Sequence, residues 1–390
     1  MTPTGAYLDY AATTPMRPEA VAAMAPFLAG NFGNPSGGHS VARAAKTALE
    51  EARETVADAL GASPGEVVFT AGGSEADNLA VKGAARAARE AGLGDGVVTV
   101  AFEHKAVLAS CDRLVRAGFR VTRVQARRDG IVDLAALEDA LDDRTVLVSV
   151  MLVNNEVGTI QPLDALSELV RARAPRAVVH TDAVQAVPWL DVSRATQPAH
   201  LVSISAHKFG GPKGTGALVV RGVVPLEPMI EGGGQEQGLR AGTSDVAGAV
   251  AMAAALEATV ASRDVDGARI ATMRDRLVDG LLASISGSFE NGERGQKVAG
   301  NAHVGFEGVE AEALLVMLDT AGVCAAAGSS CSSGATEPSH VLEAMGVPRD
   351  AALSSIRLSL GHASVDRDVD VALAVVPEAV AKLRAAGTVT

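Results

Sequence analysis

Polar side chains able to do chemistry follow one apolar run after another along this chain. His104 follows Val97–Phe102, Asn155 follows Thr145–Val153, and Asp182 and Gln185 follow Ala177–His180. Ser205, His207 and Lys208 follow Leu201–Ile204. In an open α/β sheet the loops beyond the carboxyl ends of the strands converge on one edge, where ligands bind. A lysine in a partly dry site loses its proton and forms a Schiff base with a carbonyl. Pyridoxal 5'-phosphate (PLP) supplies such an aldehyde. It also requires a carboxylate at its ring nitrogen, a stacking group, and a helix N-terminus with hydroxyls for its phosphate. Lys208 fits the aldehyde, Asp182 the ring nitrogen, and His104 the ring face, where an imidazole both stacks and moves protons. Asn155 and Gln185 suit the phenolic oxygen. Ala71-Gly72-Gly73-Ser74-Glu75 follows Val67–Thr70. Its small residues let backbone N–H groups approach an anion, and Ser74 is placed to cap a helix. Gly73, Ser74, Ser205 and His207 therefore fit the phosphate.

Elements that position these groups are legible in the same stretch. Strands are expected at Val67–Thr70, Val97–Ala101, Arg120–Gln125, Thr145–Val153, Ala177–His180, Leu201–Ser205 and Gly216–Val220. Helices are expected from Ser74, and over His104–Ala117, Leu134–Leu141 and Leu163–Ala172. Uninterrupted Val/Leu/Ile runs separated by amphipathic helices predict an α/β fold with a mostly parallel sheet covered on both faces. The pattern fades after about residue 260. Beyond it come helices at Arg269–Ile285, Glu310–Ala321 and Asp366–Ala385 and short strands at Asn301–Phe306 and Ser355–Leu360. A large domain over 15–260 is expected, with a smaller α+β domain built from 1–14 and 261–390.

Composition narrows the function. The chain has 390 residues, 48% hydrophobic and 21% charged, so it buries a large core and is not disordered. A net charge of -12, with Lys and Arg scattered, argues against general affinity for nucleic acid or acidic membranes. The three cysteines, Cys111, Cys324 and Cys331, lack the number and spacing of a disulfide framework or a zinc site. No metal is expected. No secretory signal is visible, and Val246–Leu256 is too short to span a bilayer and fits a buried helix. The expected compartment is the reducing cytoplasm. A nicotinamide site lacks its Gly-x-Gly-x-x-Gly: Gly210-Gly211-Pro212-Lys213-Gly214-Thr215-Gly216 leads into a strand, where a phosphate loop opens a helix.

Nearly end to end, the chain resembles the cysteine desulfurases of the class V aminotransferase family, in their IscS/NifS-like group. The resemblance rests on Tyr7-Leu8-Asp9-Tyr10-Ala11-Ala12-Thr13-Thr14-Pro15, Phe32-Gly33-Asn34-Pro35-Ser36 and Phe69–Asn78. It continues through Glu103-His104-Lys105, Val153–Gly158, His180–Gln185, Ser205-Ala206-His207-Lys208, Arg240-Ala241-Gly242-Thr243, Gly328-Ser329-Ser330-Cys331 and Ser355–Gly361. It implies the PLP-dependent transferase fold (fold type I), with a mostly parallel seven-stranded sheet in the large domain. It also implies Lys208 as the residue carrying the cofactor, Asp182 on the pyridine nitrogen, and His104 stacked on the ring. Gly73, Ser74, Ser205 and His207 would hold the phosphate, with Asn155 and Gln185 on the ring oxygen. Thr243 would reach the phosphate in a neighbouring subunit of a homodimer, and Arg357 would clamp the substrate carboxylate beside Asn155. Ala206 stands where the family commonly has Gly, and Gly73-Ser74 where Ala-Thr is common; both are small-for-small changes.

The implied reaction removes sulfur from L-cysteine and leaves L-alanine. Its nucleophile would be Cys331, which lies in Gly328-Ser329-Ser330-Cys331-Ser332-Ser333-Gly334, a run with high backbone freedom and a poor setting for a packed thiol. Cys111 and Cys324 read as packing. The sulfur would pass as a persulfide to an acceptor protein, an iron–sulfur scaffold or a tRNA thiolase. Selenocysteine lyase and other reactions on the same family scaffold are the alternatives.

Overall fold

The computed structural model describes residues 5–328 and 337–387. Seven strands form its main sheet: Val67–Thr70, Gly96–Val100, Arg120–Val124, Thr145–Ser149, Val178–Asp182, Leu201–Ser205 and Gly216–Val220. Their spatial order begins at Val67–Thr70 and runs through 216–220, 201–205, 178–182, 145–149 and 96–100 to 120–124. Gly216–Val220 pairs antiparallel with both its neighbours, and every other pairing is parallel. The predicted α/β class and mostly parallel sheet hold. Central strands are buried on both faces, as in Thr145–Ser149 and Leu201–Ser205, which is why they read as unbroken apolar runs.

Two expectations need correction. The strand expected over Thr145–Val153 ends at Ser149. Residues 150–153 remain buried, and Val150 N and Leu152 N still donate to His180 O and Asp182 O, so the apolar signal outlasts the ladder. The separate runs at Val246–Leu256 and Arg269–Ile285 belong to one helix, Val246–Ser284, capped by Asp245. Two further helices, Pro18–Leu28 and Ser40–Leu60, pack against this long helix. Pro18 opens the first, where a missing N–H costs nothing, and Gly61 at φ 61° closes the second. By length and composition the Val246–Ser284 helix would also suit a membrane span, yet half of its most apolar window is buried inside the protein.

A second core lies apart from the main sheet. It gathers Ala6 and Leu8 with Leu277 and Leu281 of the long helix, Val304 and Phe306, Leu314, Ile356 and Leu358, and Val376. Each such fully buried Leu, Ile or Phe contributes about 1.5–3 kcal/mol. Its three-stranded sheet places Ser355–Ser359 antiparallel to Asn301–Phe306, which pairs with Ser288–Glu290. Ala6–Tyr7 pairs with Val323–Cys324, so the N-terminal strand belongs to this second layer. The chain then crosses to the main sheet, where Thr14 N meets His207 O.

Candidate active site

Beyond the carboxyl ends of the parallel strands lies a cavity of about 500 Å³. Its lining includes Gly73, Ser74, His104, Asn155, Asp182, Gln185, Ser205, His207, Lys208 and Arg357. Every site residue expected from the sequence is therefore gathered here except Thr243 and Cys331. Thr243 is exposed and outside this lining. Cys331 lies outside the described residues.

At one end the Val67–Thr70 strand turns into a helix through Gly72 and Gly73. Gly72 has φ 129°, a conformation that L side chains rarely adopt. A Cβ on Gly73 would stand 2.8 Å from Val184 Cγ2 and 3.3 Å from Ser205 Cβ. Glycine here keeps the floor open, and the helix start aims backbone N–H groups into the cavity. The cradle is braced from outside: Glu75 accepts from Ala71 N at 3.0 Å and pairs with Arg240 Nε at 2.9 Å.

At the other end sits Asp182, last residue of its strand, accepting from Val184 N at 2.9 Å. Burial raises its pKa, while His104, the Val184 amide and Lys208 pull it back down. His104 caps the Lys105–Arg116 helix through Nδ1, which accepts from Ala106 N at 3.2 Å. The proton of the neutral ring is then on Nε2. Burial lowers the His104 pKa, with Asp182 opposing and Lys208 reinforcing. His207 is pushed down to about 4, chiefly by burial and then by Lys208 and Lys213. It is a neutral ring at pH 7, with Nδ1 3.2 Å from Thr13 Oγ1.

The remaining wall comes from the N-terminal crossing segment. Lys208 Nζ donates to Ala11 O at 2.6 Å and Ala12 O at 2.8 Å, and Gln185 Nε2 donates to Ala11 O at 2.8 Å. Arg357 reaches in from the second core. It is 1% exposed and donates through Nη1 to Asn155 O and through Nη2 to Asp9 Oδ1, each at 2.8 Å. Its Nε has no hydrogen-bond partner among the described residues. A buried donor left unmatched is costly.

Sequence reasoning passed over Asp9, which holds Arg357, and over Asp77, Glu103 and His180, a buried polar group under Asp182. His180 had a signal: two residues before Asp182 on one strand, it shares that residue's face. An amine, a carboxylate, a capped imidazole and a glycine-and-hydroxyl cradle around one cavity form a donor set that fits PLP.

A family model described as aminotransferase class-V matches residues 6–371. An IscS-like cysteine desulfurase of Mycobacterium tuberculosis is 48% identical over 386 residues, 98% of each chain. Among solved structures, a NifS-like protein is 35% identical with a TM-score of 0.90, covering 96% of this chain and 99% of that one. SspA in complex with cysteine is 34% identical with a TM-score of 0.80, covering 92% of this chain and all of that one, 100%.

Proposed function

The chain belongs to the aminotransferase class-V family, and on that premise we propose that it is a cysteine desulfurase: L-cysteine gives up its sulfur, L-alanine leaves, and Cys331 keeps the sulfur as a persulfide. The observation that carries this reading is one cavity holding Lys208, Asp182 and His104 from the main sheet together with Arg357 from the second core. Like its family, the enzyme depends on PLP.

When bound, PLP supplies an electron sink that loosens the Cβ–S bond of the substrate. Lys208 would hold the cofactor aldehyde, and its Nζ would serve as the acceptor for the substrate α-proton. Asp182 would keep the ring nitrogen protonated, Gly73, Ser74, Ser205 and His207 would hold the phosphate, and Gln185 with Asn155 would hold the ring oxygen. His104 would face the ring, with Nε2 placed to exchange a proton with the substrate thiol. Arg357, which lines the cavity, would bind the substrate carboxylate through its planar guanidinium.

Transfer is redox-neutral: cysteine and the Cys331 thiol become alanine and the Cys331 persulfide. Two facts support Cys331. Burial raises the pKa of both described thiols, Cys111 to about 12, so neither makes a ready thiolate. In addition, Ala326 N donates to Arg357 O and Arg357 N to Ala326 O at 2.6 Å. That pairing holds the described chain leading toward Cys331 beside the strand that bears Arg357.

In the same reading, 15–260 is the cofactor-binding domain, and 1–14 with 261–390 carries Arg357 and Cys331. Thr243 reaches the phosphate in the partner of a homodimer, and a sulfur-acceptor protein, an iron–sulfur scaffold or a tRNA thiolase, receives the persulfide in the cytoplasm. Mass analysis of the PLP-loaded protein after cysteine addition tests the central claim. One reversible sulfur on Cys331 with stoichiometric alanine is expected. Alanine without sulfur on Cys331 would remove the nucleophile assignment, and neither product with PLP bound would remove the reaction.

A further inference from the structure

The wall under Asp182 holds more acid than this chemistry uses. Asp77, Glu103 and Asp182 are all buried, Asp77 to 1% exposure and Glu103 to 0%. Asp77 lies in the Gly73–Asn78 segment and lines the cavity. One polar atom from each of Asp77, His104 and Asp182 falls within 4.8 Å of the others. Asp77 Oδ1 has no hydrogen-bond partner among the described residues, and His180 Nε2 stands 3.7 Å away, beyond bonding range. The His180 ring is already committed, Nδ1 to Ser149 Oγ at 2.8 Å and Nε2 to Ser203 Oγ at 3.0 Å. Ser149 Oγ also lies 3.5 Å from Glu103 Oε1.

Three carboxylates in one dry wall do not all ionise, because burial penalises each charge and each charge penalises the others. Asp77 and Glu103 are pushed well above the carboxylate range, by burial first and by Asp182 next. Asp182 alone of the three has the basic groups His104 and Lys208 working to keep it charged, beside the Val184 N–H, whereas Glu103 has only neutral backbone and Ser149 donors. A carboxylic acid that keeps its proton has one O–H to donate. We propose that Asp77 is a positioning residue for Asp182: as a neutral acid it donates to the Asp182 carboxylate and leaves the single buried negative charge facing the ring nitrogen. The titratable groups around it are Asp182, His104, Glu103 and His180, with Lys208 across the cavity.

This inference rests on the reading that Asp182 faces the ring nitrogen, and the experiment separates the two. PLP-loaded wild type, Asp77→Asn, Asp77→Ala and Asp182→Ala are dialysed from mildly acidic to mildly basic pH. Retained PLP and the visible absorbance are followed. Asparagine is neutral and still donates, so Asp77→Asn is expected to retain PLP within about twofold of wild type, with the same pH profile. Asp77→Ala is expected to bind PLP about tenfold more weakly, worst at acid pH, because Asp182 without its donor is protonated more easily. Rescue by asparagine and the shifted profile are effects that a purely structural role would not produce. Asp77→Asn shifting the profile to lower pH marks an ionised Asp77 and overturns the proposal, even where Asp77→Ala fails to fold. An unshifted Asp77→Ala overturns it as well. If Asp182→Ala also leaves retention and profile untouched, the placement of Asp182 itself fails.

Discussion

Replacing Glu236 by alanine is expected to cost about 3–5 kcal/mol, the usual result of stripping one partner from a buried ion pair. Glu236 and Arg53 are buried side chains, 5% and 9% exposed. Arg53 Nη1 and Nη2 donate to the two Glu236 oxygens, each at 2.8 Å, and Phe69 N donates to Glu236 Oε2 at 2.9 Å. Removing the carboxylate takes the acceptor of both Nη groups and of the Phe69 N–H in one step, leaving Arg53 with Val67 O and the half-exposed Glu50. The backbone adds a second, opposing term. Glu236 at φ 45° and Gln237 at φ 59° are the only non-glycine residues with positive φ among those described. Left-handed backbone costs an L-residue about 1–2 kcal/mol that glycine does not incur. Glu236→Gly should therefore be less damaging than Glu236→Ala by about 1 kcal/mol, although it loses the same carboxylate. Denaturant unfolding of the PLP-loaded protein reads both differences. In an Arg53→Met background the loss on Glu236→Ala should shrink to about 1 kcal/mol, since no charge remains to strand. The loop these residues pin also braces the phosphate cradle, because Arg240 pairs with Glu75 and Glu75 accepts from Ala71 N. PLP retention should accordingly fall in Glu236→Ala. A loss below about 1 kcal/mol, or a glycine variant no better than the alanine one, would refute the assignment of strain and pairing.

Arg357→Lys keeps the charge but loses the planar fork, so KM for cysteine should rise about 10–100-fold with a smaller change in kcat, read by alanine formation. Lys208→Ala should leave the protein folded but abolish turnover, and added PLP should show only the absorbance of the free aldehyde. For His104 the lowered pKa places the protonated form below the ordinary value of 6.5, so the acid limb it causes in kcat/KM should fall below that pH. An acid limb unchanged in His104→Gln would show that another group sets it. Burial pushes His180 and His303 down to about 3 from 6.5. Each binds a proton only in the unfolded chain between those values, so their stability is complete above about 6.5 and lost as pH falls toward 3. His303→Gln should flatten that acid slope in denaturant titrations, while the buried acids Asp77 and Glu103, with raised pKa, act in the opposite sense.

The strand ends were legible because β-branched runs stop at polar residues, and those residues are the ones a ligand meets. The signal misleads where burial and hydrogen-bond ladder part company, as at residues 150–153, which stay apolar because they remain packed in the main core. It also misleads at Val246–Ser284, where an Ala-rich face against two helices becomes an amphipathic face against the second core. Composition changes there while the backbone does not. Asp9 and Arg357 bond across 348 positions, a pairing with no local trace. Asp77 and Glu103 read as ordinary helix-start and loop acids, since nothing in a string of residues says that a carboxyl is fully buried. Thr243 is exposed in one chain, so the role expected of it depends on a second subunit.

Two cores meeting over one cavity pose a registration problem, and the N-terminal segment solves it. Leu8 N bonds Cys324 O, and Ala11 N bonds Ser359 Oγ at 2.9 Å, which ties the segment to the strand bearing Arg357. Three positions later Thr14 N and Oγ1 both bond His207 O, the residue beside Lys208. Between these anchors the carbonyls of Ala11 and Ala12 hold Lys208 Nζ, and Tyr7 Oη donates to Asp9 O and Thr13 O, stiffening the stretch. Any shift of the second core therefore displaces the acceptors of the lysine amine together with the guanidinium. With Arg357 as the proposed carboxylate-binding group and Lys208 as the proposed proton acceptor, the nine backbone residues 6–14 tie the two together, alongside the direct bond from Arg357 Nη1 to Asn155 O.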